Sequence, residues 1–356
     1  MTELLSPENG AVISLLSGPM REFIKKTGDG TLADGLDDRG WDQVYGWIPD
    51  KRDRDRDMTS PAHVLFRWRT DRPAAPAALE ISETPDFSSP APLTKGRISW
   101  SATDEGTLFS DVYNLKTGTR YYWRVAGPGG SDDVFSFTTE EGIRAIGIPG
   151  CANVRDLGGI RTADGGMIRQ GLVYRGGAPD SREEVQYRIT EEGKKVFLSD
   201  LGIKTEIDLR GDVGPSEFSP DDPVNILPIP YDSYLHSENE CAHLTREIFE
   251  TLADPSVYPV YIHCQAGADR TGTVMYYLEA ILGMRLDDII FDFNVSSLSA
   301  IDQRHWKTSE NINGHIGKIM SDFPGMTVEE ALRARLLSIG VTEEIFGRIR
   351  GILLEK

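Results

Sequence analysis

Cys264 and Arg270 stand six positions apart in the stretch His263-Cys264-Gln265-Ala266-Gly267-Ala268-Asp269-Arg270-Thr271-Gly272. An apolar run from Val257 to Ile262 leads in, and a helix-patterned run from Thr273 to Leu282 leads out. A strand, a tight glycine-bearing loop and a helix N-terminus together form an anion cradle. Successive backbone N–H groups turn inward and the helix dipole adds partial positive charge. A thiol at the mouth of such a cradle is drawn toward its nucleophilic thiolate, below the usual pKa of about 8.5. An arginine at the far end presents a planar fork that matches two oxygens of a phosphoryl group. The chemistry these residue types suit is nucleophilic attack on phosphorus. Phosphoryl transfer relies on positioning and charge stabilisation.

Each position in the loop takes an expected role. Cys264 is the nucleophile, and Arg270 grips the phosphoryl oxygens. The backbone amides of Gln265, Ala266, Gly267, Ala268, Asp269 and Arg270 line the cradle, with Gly267 and Gly272 permitting the curl and close helix packing. Thr271 donates its hydroxyl to the thiolate or caps the helix. His263 points away from the substrate as a residue that fixes the loop and tunes the thiol, or as an ordinary buried histidine. A leaving oxygen also needs a proton. Asp269 is the first candidate for that acid. Asp208, at the C-terminal edge of a strand, is the second, with pairing to Arg210 as its structural alternative. Asp232 is the third. No metal or cofactor is called for.

The elements around the loop read as two domains, in keeping with 356 residues. Residues 1–140 carry short alternating strands: His63–Arg69, Leu79–Ser82, Arg97–Ser101, Phe109–Leu115, the Tyr121, Trp123, Val125 alternation, and Val134–Thr138. This spacing predicts an all-β sandwich, with Leu4–Leu16 as its first strand. A segment near 19–57 interrupts the sandwich. It contains Trp41 and Trp47, which either pack on the sandwich or cover the second domain's cleft. It ends in Lys51-Arg52-Asp53-Arg54-Asp55-Arg56-Asp57, an alternating run that reads as a solvated loop. Residues 145–356 alternate strands and helices, which predicts an α/β domain with a mostly parallel sheet flanked by helices. Thr327-Val328-Glu329-Glu330 is a capping box.

Composition sets bounds. The formal net charge of -18 argues against nucleic acid and against permanent docking on an anionic membrane. The three cysteines, Cys151, Cys241 and Cys264, lack the spacing of a disulfide framework or a zinc site. With no leader visible, a reducing, cytoplasmic setting is expected, or a secreted one if a leader has been removed.

The signature loop resembles that of the protein tyrosine phosphatase superfamily. Asn153-Val154-Arg155-Asp156-Leu157-Gly158-Gly159, Gly171-Leu172-Val173-Tyr174-Arg175 and Ile207-Asp208-Leu209-Arg210 are similar to blocks of a bacterial branch that acts on phosphotyrosine and, in some members, phosphoinositides. The resemblance implies a metal-independent phosphatase with a phosphocysteine intermediate. The chain has no Trp-Pro-Asp tripeptide, which supplies the acid in many relatives. Myotubularin-like lipid phosphatases carry Asp at the position of Asp269, where it is given the acid role. Lipid-active members of the branch commonly have lysine at the position of Ala268. Its absence favours phosphotyrosine over phosphoinositides or inositol polyphosphates; Arg155, Arg169, Arg175 and Arg210 are sources of rim charge, with structural pairing the expected role for most of them. An inactive phosphate-binding module is the alternative of another class. The Arg270-Thr271-Gly272 ending does not suit a sulfur-transferring rhodanese. Leu115 to Tyr121 resembles the turn before the core tyrosine strand of fibronectin type III domains, with Thr117 where proline is usual. A sandwich of that kind implies positioning or a protein partner.

Overall fold

The structure is a computed structural model and describes residues 2–27, 57–71, 78–89, 101–102, 107–180, 188–211, 217–231, 241–300 and 312–355. The chain divides into two compact units: residues 1–16 with 61–147, and residues 17–60 with 148–356.

The first unit is built from short strands. β1 (Thr2–Ser6), β3 (Val64–Thr70), β5 (Ser101–Ala102) and β6 (Thr107–Val112) form one sheet in the order β1-β3-β6-β5. β2 (Ala11–Ile13), β4 (Ala78–Ser82), β7 (Arg120–Ala126) and β8 (Phe135–Thr139) form another in the order β2-β8-β7-β4. A two-residue strand, β9 (Arg144–Ala145), closes this stretch of chain. Alternation fixes which face is buried. In β3 Val64, Phe66, Trp68 and Thr70 are buried, and the residues between them are exposed. In β7 Tyr121, Trp123 and Val125 turn inward. Phe66 of one sheet meets Trp123 and Phe137 of the other edge-on, with ring centroids 5.2 and 5.8 Å apart. One apolar core therefore serves both sheets. The predicted single strand over Leu4–Leu16 is two strands, one in each sheet. Most of the Arg97–Ser101 candidate lies outside the described residues.

The second unit takes residues 17–60, so the interrupting segment groups with this unit and not with the strands it interrupts. Its first helix, α1 (Gly18–Thr27), buries Met20 and Phe23. Trp41 and Trp47 lie outside the described residues. Five strands follow: β10 (Arg155–Asp156), β11 (Val173–Gly176), β12 (Thr205–Asp208), β13 (Asn225–Pro228) and β14 (Val260–His263). Their order is β13-β12-β14-β11-β10. The first four are parallel and β10 runs antiparallel to β11. β14 is the central strand and is buried throughout, as a parallel strand covered on both faces must be.

Helices α2 (Glu191–Lys195), α3 (Ala242–Leu252), α4 (Asp269–Leu282), α5 (Leu286–Val295), α6 (Ile312–Asp322), α7 (Val328–Ser338) and α8 (Glu343–Leu353) pack around this sheet. Phe23 of α1 lies against Phe291 of α5, with centroids 5.6 Å apart. The predicted capping box at Thr327 is present, with Glu330 returning the bond. Every residue of α4 from Thr271 to Leu282 is buried, so this helix is the unit's axis and is rigidly held. Among the described residues no helix is long and apolar enough to cross a membrane.

Candidate active site

Three parallel strands end side by side. The register pairs His263 with Gly176 on one side and with Asp208 on the other. The chain leaves β14 at Cys264 and enters α4 at Asp269, so the loop sits at the carboxyl edge of the sheet, where α/β proteins place their sites.

The loop's carbonyls are claimed one after another from outside. Cys264 O accepts from the His263 ring at 3.0 Å, and Gln265 O from the amide of Ala178 at 3.0 Å. Ala266 O accepts from Asn153 Nδ2 at 3.0 Å, and Gly267 O from Arg175 Nη2 at 2.8 Å. In a planar trans peptide the next residue's N–H points opposite to the carbonyl. The amides of Gln265, Ala266, Gly267 and Ala268 therefore face the mouth of the loop. Gly267 has φ +67°, and a Cβ there would come within 2.1 Å of Gly176 O, so only glycine fits the close crossing of the two backbones. Helix α4 starts at N-cap Ala268 with no side-chain cap, so its first-turn amides are not consumed by a capping side chain.

Cys264 is buried at the foot of this ring. Burial pushes its thiol up. The charge of Arg270, together with hydrogen-bonding from the Thr271 hydroxyl and backbone, more than offsets this and holds it below the ordinary thiol value. The Thr271 hydroxyl is buried and makes no hydrogen bond of full geometry, yet it lies near enough to the sulfur to favour the anion. It does not cap α4. Arg270 Nη1 touches Leu209 O at 3.5 Å, which steadies the guanidinium over the loop. Cys151 is the opposite case: burial first, then the charges of Glu206 and Asp180, drive its thiol far up.

Under the loop lies a sealed polar layer. Arg155 gives Nε to Asp292 Oδ1 at 2.6 Å and Nη1 to Asn153 Oδ1 at 2.8 Å. Arg175 bonds Asp292 Oδ2 and the loop carbonyls. Burial, then the neighbouring charge of Arg175, lowers Arg155 to about 10, so it keeps its proton at neutral pH. Burial alone would raise Asp292; the two arginines hold it far below the carboxylate range. Glu279 is raised well above that range by burial first and then by the charge of Asp292. The layer thus sets two arginines on one shared carboxylate, Asp292, behind an anion cradle.

His263 is fully buried. Nε2 meets Glu206 Oε1 at 2.7 Å and Nδ1 meets the Cys264 carbonyl. Both ring nitrogens face acceptors, which suits the imidazolium. Burial opposes that charge, but the Glu206 contact and the Asp208 charge win and raise the histidine above its ordinary value. Asp208 is held in a bidentate pair with Arg210, at 2.9 and 2.6 Å, and Arg210 also reaches Asp180 at 2.8 Å. Burial would raise Asp208, but Arg210 and His263 outweigh it and hold the carboxyl below its ordinary value. Glu206, Asp208 and His263 place ligand-type atoms within 4.8 Å, yet Arg210 occupies both Asp208 oxygens and both His263 nitrogens are engaged.

Asp269 opens α4 and is partly exposed at the rim, where its charge is felt by Cys264 and opposes the thiolate. Gln265 is also partly exposed, whereas Ala266 and Ala268 are buried in a cluster with Ala152. Asp232 lies outside the described residues. All four arginines considered for the rim are engaged internally: Arg155, Arg175 and Arg210 as above, and Arg169 on Ile352 O at 3.0 Å.

Several participants left no chemical signal in the sequence. Glu206, Glu279, Asp292 and Ser296 sit in ordinary strand or helix patterns. Asn153 belonged to a quoted block but had no role assigned. Asp57 requires a correction: read as the end of a solvated charge run, it is 8% exposed and bonded on both oxygens. Its run was alternating only in charge, and a carboxylate with enough backbone donors can be buried. Residues 51–56 lie outside the described residues.

Residues 146–343 match the tyrosine phosphatase family. A Cupriavidus necator (strain H16) protein that carries the provisional name tyrosine-protein phosphatase is 28% identical over 172 residues. The match takes in 40% of this chain, which spans 59% of that relative's length. Among solved structures, the core catalytic domain of the PP-IP phosphatase Siw14 from S. cerevisiae, in complex with citrate, is similar over 44% of this chain and 91% of its own, at 18% identity and a TM-score of 0.32. A second structure of the Siw14 catalytic core covers 47% and 97%, at 16% identity and a TM-score of 0.27. At those TM-scores the superpositions carry nothing about substrate.

Proposed function

Because the chain belongs to the tyrosine phosphatase family, we propose that it is a metal-independent phosphomonoester hydrolase acting through a phosphocysteine on Cys264. The observation that carries this is the run of loop carbonyls tied outward from Cys264 to Gly267, which leaves their amides facing a lowered thiol beside Arg270.

In the first step Cys264 Sγ forms a bond to phosphorus while the ester P–O bond breaks. The electron pair goes to the leaving oxygen, which takes a proton from Asp269. Arg270 and the amides of Gln265 through Arg270 hold the equatorial oxygens as charge spreads over them. In the second step water attacks phosphorus, the S–P bond breaks, and Asp269 accepts the proton from water. Asp269 takes the acid role because Asp208 is committed to Arg210. Thr271 eases departure of the thiolate, and His263 fixes the loop from behind.

Phosphotyrosine is the proposed substrate class. Ala268 offers a buried methyl where a lysine would add charge, and the four arginines near the site are spent on internal partners. Such a site suits one phosphoryl group better than a polyphosphorylated ring. For the first unit we propose a fibronectin type III-like sandwich with a positioning or partner-binding role. Its support is the Lys116 amide donating to the Tyr121 hydroxyl at 2.9 Å across the predicted turn. A reducing, cytoplasmic setting follows from the need to keep Cys264 reduced.

The test is hydrolysis of p-nitrophenyl phosphate with EDTA present, beside phosphotyrosyl peptide and soluble phosphoinositide. Wild type should turn over and prefer the peptide, and Cys264→Ser should fall by at least ~10³-fold. Activity persisting in Cys264→Ser would contradict the covalent route. Preference for the inositide would overturn the substrate class. Peptide binding without turnover would leave only a binding module.

A further inference from the structure

Asp57 comes from far up the chain, yet it is built into the underside of the loop. Oδ2 accepts from the Asn153 amide at 3.0 Å and from the Thr59 hydroxyl at 2.5 Å. Oδ1 accepts from the Ala300 amide at 3.1 Å. Thr59 also shares the Asn153 amide, at 3.1 Å. Met58 N–H donates to Leu298 O at 3.2 Å, and Ser17, at the start of the same segment, donates its hydroxyl to Met58 O at 3.2 Å.

The two places that Asp57 grips are those that hold the loop from below. Asn153 is fully buried, in the left-handed region at φ +59°. Its Nδ2 donates to Ala266 O, Gly267 O and the Ser296 hydroxyl. The turn from Ser296 to Ala300 leaves α5, whose Asp292 neutralises Arg155 and Arg175. A left-handed residue persists only where its surroundings over-determine it. A buried carboxylate with several donors supplies that constraint, and its removal leaves buried amides unsatisfied.

We propose that Asp57 is a positioning residue for the phosphate loop: it locks Asn153, and through it the outward set of the loop carbonyls. Asp57 and Thr59 thereby make the catalytic unit depend on residues outside the stretch that matches the family. The proposal rests on the phosphatase reading above for its kinetic consequences, but not for its effect on oxyanion binding.

The full chain carrying Asp57→Asn, which keeps the shape but turns an amide toward one of the donors, is compared with Asp57→Ala and with the milder Thr59→Val. Readouts are kcat/KM for p-nitrophenyl phosphate, vanadate affinity by calorimetry, and the pH dependence of Cys264 alkylation. Asp57→Asn should lower kcat/KM and vanadate affinity together, by about ten- to a hundredfold, the scale of a small misplacement of a binding site. Asp57→Ala should lose at least as much, and Thr59→Val a few-fold. The alkylation profile should move to higher pH, which a loss of stability alone would not produce. In an Asn153→Ala background, adding Asp57→Asn should cost less than about twofold, because the link is already cut. A folded Asp57→Asn protein with kcat/KM, vanadate affinity and alkylation profile within twofold of wild type overturns the proposal, as does full additivity with Asn153→Ala. If wild type binds vanadate without hydrolysing esters, the phosphatase reading fails, and vanadate affinity still decides the role of Asp57.

Discussion

In the first unit Phe66, Trp123 and Phe137 meet edge to face; beneath the Cys264 loop Arg155, Arg175, Asp292 and Asn153 meet through hydrogen bonds of 2.5–2.8 Å. Both regions are closed to water. The aromatic core is held by area and shape, which are forgiving of detail so long as volume and pattern are kept. The layer under the loop is held by direction and charge. There Arg155 and Arg175 have Asp292 as their common acceptor, and a missing partner strands a buried charge. The contrast explains why an acidic protein accepts two buried arginines at one place. They do not stabilise the unit cheaply; Arg175 holds the Gly267 carbonyl directly and Arg155 holds Asn153, which holds the Ala266 carbonyl, and so they help to aim the amides that meet the substrate.

The largest effect that would sharpen this contrast is expected from Asp292→Asn. It leaves Arg155 and Arg175 uncompensated and should cost the second unit about 3–5 kcal/mol, read as a lowered denaturant midpoint. The sign of its pH dependence follows from the direction of the Asp292 shift. The carboxyl is held below its unfolded value, so its contribution is full above the unfolded value and disappears as pH falls through the folded one. A neutral result would show that the layer is as forgiving as the aromatic core. Next comes Arg270→Lys, which keeps the charge but loses the fork. It should reduce kcat/KM by ~10²–10³-fold, as for loss of a transition-state donor, with little change in melting temperature.

The first unit should yield less. Tyr121→Phe removes the hydroxyl that the part-buried amide of Lys116 donates to and should cost about 1 kcal/mol in the unfolding transition of the first unit. Leu79→Met, a swap of near-equal volume in the same core, should cost under about 1.5 kcal/mol. If Leu79→Met proved as costly as Asp292→Asn, the proposed difference between the two regions would be wrong.

The sequence was most legible where local rules act. Alternation located β3, β7 and β8 to within a residue or two, and Thr327 announced its helix by a capping box. The loop from His263 to Gly272 was legible because its chemistry is compressed into ten consecutive residues. The layer beneath was legible only in part: Arg155 and Arg175 carried a structural reading, but their partners Asp292 and Asn153, and Asp57 behind them, are brought together only by the fold. Asp57 was misread for the same reason: the donors that make its burial affordable, at Asn153 and Ala300, are 96 and 243 residues away. Asp208 shows the converse: its strand-end position and its pairing with Arg210 were both legible, because its partner is two residues away.

The central claim concerns one sulfur, and its protonation can be read without any substrate. The pH dependence of iodoacetate alkylation, mapped to individual cysteines, gives it. Cys264 should alkylate well below the ordinary thiol range of about 8.5, while Cys151, its thiol driven upward, stays unmodified at the same pH. An alkylation midpoint for Cys264 at or above that range, in a folded protein, would contradict the account of the loop as an anion cradle.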